Sequence, residues 1–140
     1  MASRIITIIL ATLLTVSPVN SSEDTTFQEQ VKCMALNIYH EARGESTKGM
    51  LAVAYVTMNR VMSPKFPSTV CEVVFQPGQF SWTMRSTYKK TIPEQFYALA
   101  ERVIIGQVND LTNGALFFHN TTIPVKQKRV KARIGNHIFY

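Results

Sequence analysis

The sequence predicts a mainly helical α+β domain with a small β-sheet. Apolar residues recur at helical spacing in four segments between residues 26 and 106, and two short apolar segments near the end of the chain have the composition of strands. The 140 residues are 46% hydrophobic and 17% charged, which is typical of an ordinary globular domain with one core.

Residues 1–22 have the features of a secretory signal peptide. A short basic start is followed by the twelve-residue apolar run Ile5–Val16 and then by small, polar residues. Such a run spans roughly 18 Å as a helix, less than the roughly 30 Å hydrocarbon core of a membrane, so a permanent anchor is not expected. We expect cleavage after Ser21 or Ser22 and a mature domain of residues 23–140. A weak anchor that later releases from the membrane is the alternative.

The chain has two cysteines, Cys33 and Cys71. In the oxidising compartment that export implies, such a pair most simply forms one disulfide, and two buried free thiols are the alternative. Closing a loop of this size stabilises a fold by roughly 3 to 4 kcal/mol in the chain-entropy model. Two cysteines and three scattered histidines show no metal-ligand spacing, so neither a metal nor a cofactor is expected.

The net charge of the chain is +6. An exported basic domain suits an anionic polymer or surface, of which the bacterial wall or envelope is the obvious one. Nucleic acid matches the charge but not the compartment, so no nucleic-acid partner is expected. The densest basic run, Lys126–Arg133, is interpreted either as a binding face or as a solvated loop.

Capping and turn residues place the four helices. Thr26 and Glu29 have capping-box spacing for a first helix that runs to Ala42 or Arg43. The second helix is expected to start at Ser46 and to end at Ser63-Pro64. The third starts at Pro67-Ser68 and runs to Val74, and the fourth starts at Ile92-Pro93-Glu94 and ends at Gly106.

The first helix carries a carboxylate at the edge of its apolar face. The apolar stripe consists of Phe27, Val31, Met34, Ala35, Ile38 and Ala42. A rotation of about 100° per residue puts Glu41 beside this stripe, whereas His40 points to the far side. Burial raises the pKa of a carboxyl group, and so does the negative end of the helix dipole, which a helix stop at Gly44 places close to Glu41. Glu41 is therefore the candidate catalytic acid, and an ordinary glutamate paired with Arg43 or Lys48 is the alternative.

Further polar and aromatic residues have two interpretations each. Asn59 and Arg60, near the end of the second helix, either cap carbonyls or hold a sugar hydroxyl or a carboxylate. The loop Phe75–Trp82 carries the only tryptophan, and amide and aromatic side chains on a loop suit carbohydrate. A buried Trp82 that plugs a helix joint is the alternative.

Two strands are predicted near the end of the chain, at Ala115–Asn120 and at Gly135–Tyr140. If these strands pair, His119 and His137 meet and form a polar spot on the sheet. Each histidine alone is more often a hydrogen-bonded structural residue.

Five motifs occur in order along the mature chain. They are Tyr39-x-Glu41-Ala42-Arg43-Gly44-Glu45, Ala52-Val53-Ala54 leading to Asn59-Arg60, Pro67-x-Thr69-Val70-Cys71, Gln79-Phe80-Ser81, and Ile134-Gly135-x-His137-x-Phe139-Tyr140. Together they closely resemble the SleB-type cell-wall hydrolases, the family of spore cortex-lytic enzymes. The resemblance extends from about residue 28 to the end.

The resemblance implies a lysozyme-like fold, peptidoglycan as the substrate and Glu41 as the catalytic residue. It further implies cleavage between N-acetylmuramic acid and N-acetylglucosamine with a 1,6-anhydro end, which is lytic transglycosylase chemistry with a single carboxylate. Glu45 is the candidate second carboxylate of a hydrolytic variant, but we expect it to pair with Arg43 or Arg60 and hold the turn. Residues expected to support the site or bind substrate are Tyr39, Arg43, Glu45, Asn59, Arg60, Gln79, Phe80, Ser81, Trp82, His119 and His137.

The cellular setting is open between two expectations. A catalytic domain with its own export signal and no separate peptidoglycan-binding module suits a periplasmic wall-remodelling enzyme or a phage lysis protein better than a spore germination enzyme. The alternative functions are a hydrolytic muramidase or glucosaminidase used in phage lysis, and a peptidoglycan-binding envelope protein without turnover. We expect a monomer that contacts the membrane only transiently, through its N-terminal signal.

Overall fold

The computed structural model describes residues 21–124 and 129–140. It contains four α-helices, a short 3₁₀ helix and three short strands. The helices are α1 (Ser21–Ala42), α2 (Thr47–Val61), α3 (Val70–Val74) and α4 (Glu94–Ile104), and the 3₁₀ helix is Ser81–Met84. This architecture confirms the predicted α+β class. Within the described ranges no helix combines the length and apolar character needed to cross a membrane, and the predicted signal peptide lies almost wholly outside them.

Helix α1 is the centre of the core and packs against the other three α-helices. Its predicted apolar stripe is confirmed, since Val31 is 4% exposed and Met34 and Ile38 are fully buried. The helix begins at Ser21, so Thr26 lies inside it and the predicted capping box at Thr26 is wrong.

Hydroxyl caps begin the next two helices. Ser46 Oγ accepts a hydrogen bond from Gly49 N at 3.3 Å, which confirms the predicted start of α2. The cap of α3 is Thr69, whose Oγ1 accepts from Glu72 N at 3.3 Å, so this helix starts later than Pro67-Ser68. Proline suits the extended entry to this cap better than a helix interior.

Helix α4 follows its prediction at both ends. Pro93 is its N-cap residue, and the chain leaves the helix through Gly106, which has a φ of +74°. Four residues of its predicted core face, Phe96, Leu99, Ala100 and Val103, are buried, and Ile104 is partly buried. This element is structural, as its strongly amphipathic sequence indicates.

The strands are β1 (Phe118–Asn120), β2 (Ala132–Ile134) and β3 (His137–Phe139), and they form one antiparallel sheet in the order β1-β3-β2. The two predicted strand segments, Ala115–Asn120 and Gly135–Tyr140, contain β1 and β3, and these two strands pair with each other. Strand β2 was not predicted. Its first two residues, Ala132 and Arg133, are the last two of the basic run Lys126–Arg133, and Ile134 follows that run. Residues 126–128 of that run are outside the described ranges, and Lys131 and Arg133 are exposed, as a solvated face requires.

A disulfide between Cys33 and Cys71 joins α1 to α3 in the structure. The two Cα atoms are 5.2 Å apart, within the normal range for a disulfide. This is the predicted pairing, and it fixes the short helix α3 to the middle of α1. The same region is tied by a hydrogen bond from Cys71 N to Gln30 Oε1 of 3.0 Å.

Candidate active site

Glu41 lies in the last turn of α1, which ends at Ala42. Its side chain is half-buried, and this burial raises the pKa of its carboxyl group above the usual value. In the part of the chain that the structure describes, no group donates a hydrogen bond to the carboxylate, so nothing offsets the cost of burying its charge. Glu41 therefore keeps its proton to a higher pH than an exposed glutamate does, as a proton donor must.

A cleft of about 420 Å³ opens on one side of Glu41. We call it the basic cleft, because Arg43, Arg85 and Lys89 line it. Ser81 adds a hydroxyl group to the same lining.

A second cleft, of about 340 Å³, opens on the side of the β-sheet. We call it the amide cleft, after Asn120 and Asn136 in its lining. His40, Glu41 and Arg43 line both clefts, so the two cavities meet at the end of α1. Glu41 is thus reached from both cavities.

Trp82 lines the basic cleft but is only 5% exposed. Its ring stacks on His40, with centroids 4.5 Å apart and planes 15° apart, and its edge contacts Tyr88 at 5.1 Å. The interpretation of Trp82 as an exposed sugar platform is therefore wrong, and the alternative of a buried plug is correct. Its position also turns His40 toward the site rather than to the far side. The half-buried rings that border the cleft belong to Tyr39 and Tyr88.

The side chain of Asn37 forms a hydrogen bond with the indole group of Trp82. Asn37 is fully buried, accepts a hydrogen bond from Trp82 Nε1 at 3.3 Å and donates one to Thr57 Oγ1 at 3.1 Å. This network joins α1, α2 and the 3₁₀ helix one turn before Glu41. The position of the acid is thus set by hydrogen bonds within the core.

The side chain of Glu45 lies between the first turn of α2 and the turn that joins β2 to β3. Its Oε2 accepts a hydrogen bond from Asn136 N at 3.2 Å, which joins the segment after α1 to the turn between β2 and β3. A methyl group at Gly135, where φ is +55°, would collide with Glu45 Oε2. A methyl group at Gly49 would lie 2.9 Å from Glu45 Cβ. Both glycines therefore leave the space that the glutamate occupies.

The expected pairing of Glu45 with Arg43 or Arg60 is wrong. Arg43 instead lies over the ring of Tyr39, with its guanidinium carbon 5.1 Å from the centroid. Arg60 lies on the other side of the core and contacts the residues described below. The predicted role of Glu45 in holding the turn is retained, but its partner is a backbone amide.

Gly135→Ala is expected to lower the free energy of unfolding by about 3 kcal/mol. Alanine is strained at a positive φ, and its methyl group would also displace the side chain of Glu45. Gly106→Ala is the matched control, because Gly106 has a φ of +74° with nothing within 4 Å of an added Cβ. Its expected cost is about 1 kcal/mol. Urea unfolding measures both.

Relief of the collision gives a second test of this arrangement. In the double variant Gly135→Ala/Glu45→Ala the two costs should be clearly less than additive, because the collision partner is gone. Equal losses in Gly135→Ala and Gly106→Ala would contradict a space reserved for Glu45.

Asn59 and Arg60 are structural residues. Asn59 Nδ2 lies within hydrogen-bond distance of Asp110 Oδ2 at 3.0 Å and of Ala115 O at 3.1 Å, and it fastens the loop before β1. Arg60 is 4% exposed and donates from Nε to Leu116 O at 2.7 Å. Neither residue lines the basic cleft or the amide cleft.

The predicted site residues Gln79 and Phe80 contact the guanidinium group of Arg60. Gln79 Oε1 accepts from Arg60 Nη1 at 3.2 Å, and the guanidinium carbon lies 5.1 to 5.5 Å from the rings of Phe66, Phe80 and Phe117. Burial lowers the pKa of Arg60 from its usual value, so the aromatic faces and the two hydrogen bonds compensate for lost solvation. The motif Gln79-Phe80-Ser81 thus contributes only its serine to the basic cleft.

His119 and His137 do not meet. The register pairs His119 with Ile138 and Asn120 with His137, so the two histidines lie on opposite faces of the sheet. His119 contacts the hydroxyl of Tyr140 at 3.1 Å and is structural. His137 lines the amide cleft, and burial lowers its pKa against the opposing effect of Glu45.

Several lining residues were not predicted from the sequence. The polar and aromatic residues among them are His40, Arg85, Thr87, Tyr88, Lys89, Asn120 and Asn136. Basic and aromatic residues recur between Trp82 and Lys90, and this pattern was the available signal for one wall. No such sequence pattern indicated Asn120, at the end of β1, or Asn136, in the turn between β2 and β3.

A family model described as Cell Wall Hydrolase matches residues 44–140 and thus begins just after Glu41. The spore cortex-lytic enzyme of Bacillus cereus is 34% identical over 119 residues, which cover 80% of this chain and 44% of that enzyme. The spore cortex-lytic enzyme of Bacillus subtilis is 32% identical over 116 residues, which cover 78% of this chain and 36% of the enzyme. The chain therefore spans less than half the length of these relatives.

Two solved structures share the fold. The catalytic domain of the Bacillus cereus SleB protein has a TM-score of 0.69 and 34% identity, over 80% of this chain and 89% of that one. The catalytic domain of the germination-specific lytic transglycosylase SleB from Bacillus anthracis has the same TM-score and identity, over 80% and 93%. With a matching family model, matching relatives and a matching fold, the chain belongs to the cell wall hydrolase family.

Proposed function

We propose that this chain cleaves the glycan strands of peptidoglycan as a lytic transglycosylase, with Glu41 as its acid and base. The observation that carries the proposal is the half-buried carboxyl of Glu41, with its raised pKa, at the point where the two clefts meet. The SleB structure named as a lytic transglycosylase supports the choice of reaction.

The proposed reaction uses one carboxyl group twice. Protonated Glu41 gives its proton to the oxygen that leaves as the 4-hydroxyl of N-acetylglucosamine, while the bond from that oxygen to C1 of N-acetylmuramic acid breaks. The resulting carboxylate then takes the proton of the muramic 6-hydroxyl as its oxygen bonds to C1. The proton returns to Glu41, no water is consumed, and the product carries a 1,6-anhydro end.

A hydrolytic reaction is the second candidate, and the position of Glu45 in the amide cleft is the observation that favours it. Most glycosidases use two carboxylates, and Glu41 and Glu45 line the same cavity. The hydrogen bond that Glu45 Oε2 accepts from Asn136 N gives this carboxylate a structural contact, which supports a positioning role. Glu45→Gln, which keeps an oxygen acceptor for this amide, should therefore retain activity within about tenfold.

The products distinguish the two reactions. Residues 23–140 are incubated with purified sacculi, and the soluble fragments are analysed by mass spectrometry. We expect 1,6-anhydro-muramic ends, which are one water lighter than reducing ends. Reducing muramic or glucosamine ends would overturn the transglycosylase assignment in favour of hydrolysis. Sacculus binding without products would favour a peptidoglycan-binding protein.

We further propose that the enzyme acts outside the cytoplasm, after removal of residues 1–22. The substrate of the proposed reaction, the apolar N-terminal run and the cysteine pair support this location. Wall remodelling and phage lysis both place the enzyme there. The mass of the mature chain recovered after export tests the cleavage site.

A further inference from the structure

The basic cleft and the amide cleft differ in charge. Arg85 and Lys89 line only the basic cleft, which they share with Arg43, and Glu41 is the one acidic residue among the described residues that line it. The amide cleft contains Glu45 beside Glu41 and Arg43, and amide groups in place of the further cations. The groove is therefore strongly cationic on one side of the acid only.

Two of the three cations of the basic cleft lie against an aromatic ring, and none of the three forms an ion pair with a described residue. The guanidinium of Arg43 and the ammonium of Lys89 lie over the same Tyr39 ring, at 5.1 and 5.5 Å from its centroid. His40 Nε2 donates to the carbonyl of Lys89 at 3.0 Å, which fixes the backbone of this wall to α1. Arg43, Arg85 and Lys89 are exposed, and none of them contacts a carboxylate in the described part of the chain. Each is free to bind an anionic group of a ligand.

In peptidoglycan that group is found on the muramic acid residues. The sugar rings are uncharged, and the carboxylates of an intact strand belong to the peptide attached to the lactyl ether of muramic acid. Where the peptide has been removed, the lactyl group itself carries a carboxylate. In the proposed reaction, the sugar whose C1 is attacked is muramic acid, so its peptide leaves the groove beside Glu41. Arginine and lysine bind carboxylates through charge-assisted hydrogen bonds.

We propose that the basic cleft binds the carboxylates of the peptide stem, so that the enzyme selects peptide-bearing glycan over denuded glycan. This inference rests on the proposed function and adds its substrate class. The amide cleft then receives the uncharged sugars on the other side of the cleaved bond, where Asn120 and Asn136 present hydrogen-bonding groups.

The test compares soluble glycan strands of equal length with and without their peptides. The latter are prepared by amidase treatment, and the lactyl carboxylates that the amidase releases are then converted to uncharged amides. At low ionic strength the kcat/KM for peptide-bearing strands should be about tenfold higher, which corresponds to about 1.4 kcal/mol. In about 0.5 M salt the ratio should fall to about two or below, because the Debye length is then only a few ångströms.

A pair of charge-matched double variants assigns the preference to this cleft. Arg85→Gln/Lys89→Gln should lower the ratio at low salt to about two, since each exposed ion pair contributes a modest part of it. Lys48→Gln/Lys65→Gln removes the same charge from exposed positions that line neither cleft, and its ratio should stay about tenfold. Thermal melts check that the unchanged chain and the two double variants fold alike.

The outcomes separate this inference from the proposed function. Cleavage of both substrates at equal rates by the unchanged chain would overturn stem selection and leave the proposed function intact. An equal fall of the ratio in both double variants would overturn it in favour of net charge. No cleavage of either substrate would overturn both proposals. Inhibition by inorganic polyphosphate that exceeds inhibition by free stem peptide would assign the cleft to phosphate polymers and overturn stem selection.

Discussion

Glu41→Gln is expected to slow the release of soluble fragments from purified sacculi by about a thousandfold, in line with the contribution of a general acid and base. Glutamine keeps the shape of the side chain but has no proton to exchange, so both steps of the proposed reaction lose their catalyst. Initial rates of fragment release, measured by liquid chromatography, report the effect. Activity within tenfold of the unchanged chain would exclude Glu41 as the acid.

The fold of this variant has its own expectation. Because burial raises the pKa of Glu41, the native state binds the proton more tightly than the unfolded chain, and its stability falls as pH rises between the two pKa values. Glu41→Gln has no charge to bury, so at neutral pH it should be at least as stable as the unchanged chain. Glu101→Gln, on the exposed side of α4, is the matched control and should change neither rate nor stability.

Replacement of both cysteines by serine is expected to lower the free energy of unfolding by about 4 kcal/mol in the chain-entropy model. The residues that form the disulfide are 38 positions apart, and the link closes a loop that contains the rest of α1 after Cys33 and all of α2. Urea unfolding of the oxidised chain and of the Cys33→Ser/Cys71→Ser variant measures the loss.

Reduction provides the control for this substitution. A reductant should destabilise the unchanged chain to about the level of the double variant and should leave the variant itself unaffected. The exported protein should also show no free thiol under denaturing conditions. Two titratable thiols in that protein would refute the disulfide.

The helices were largely predictable because their signals are local. The apolar stripe of α1, the cap at Ser46 and the stop at Gly106 each act within a few residues of the sequence. Strand β2 was not predictable in this way, since its residues alternate with basic side chains and depend on pairing with β3. The start of α1 was misplaced because a capping-box spacing at Thr26 also occurs inside a helix.

The half-buried position of Glu41 was predictable, and most of its surroundings were not. Helix geometry indicated Glu41 because its place beside the apolar face of α1 depends only on residues of that helix. The orientation of His40 depends on Trp82, which is 42 residues further along the chain, and the partner of Glu45 is the backbone of Asn136, 91 residues away. Arg60 belongs to a strong sequence motif, yet the aromatic residues that surround it come from three separate segments.

Helix α1 carries Cys33, Asn37 and Glu41 on successive turns, and the first two anchor it to α3, to α2 and to the 3₁₀ helix. Tyr39, His40 and Arg43, in and just after α1, line the clefts together with residues from the segment after Trp82 and from the sheet. Glu41 and much of the lining around it therefore belong to different parts of the chain. Replacement of residues 83–91 would change the lining of the basic cleft and leave the contacts that anchor α1 at Cys33 and Asn37 in place.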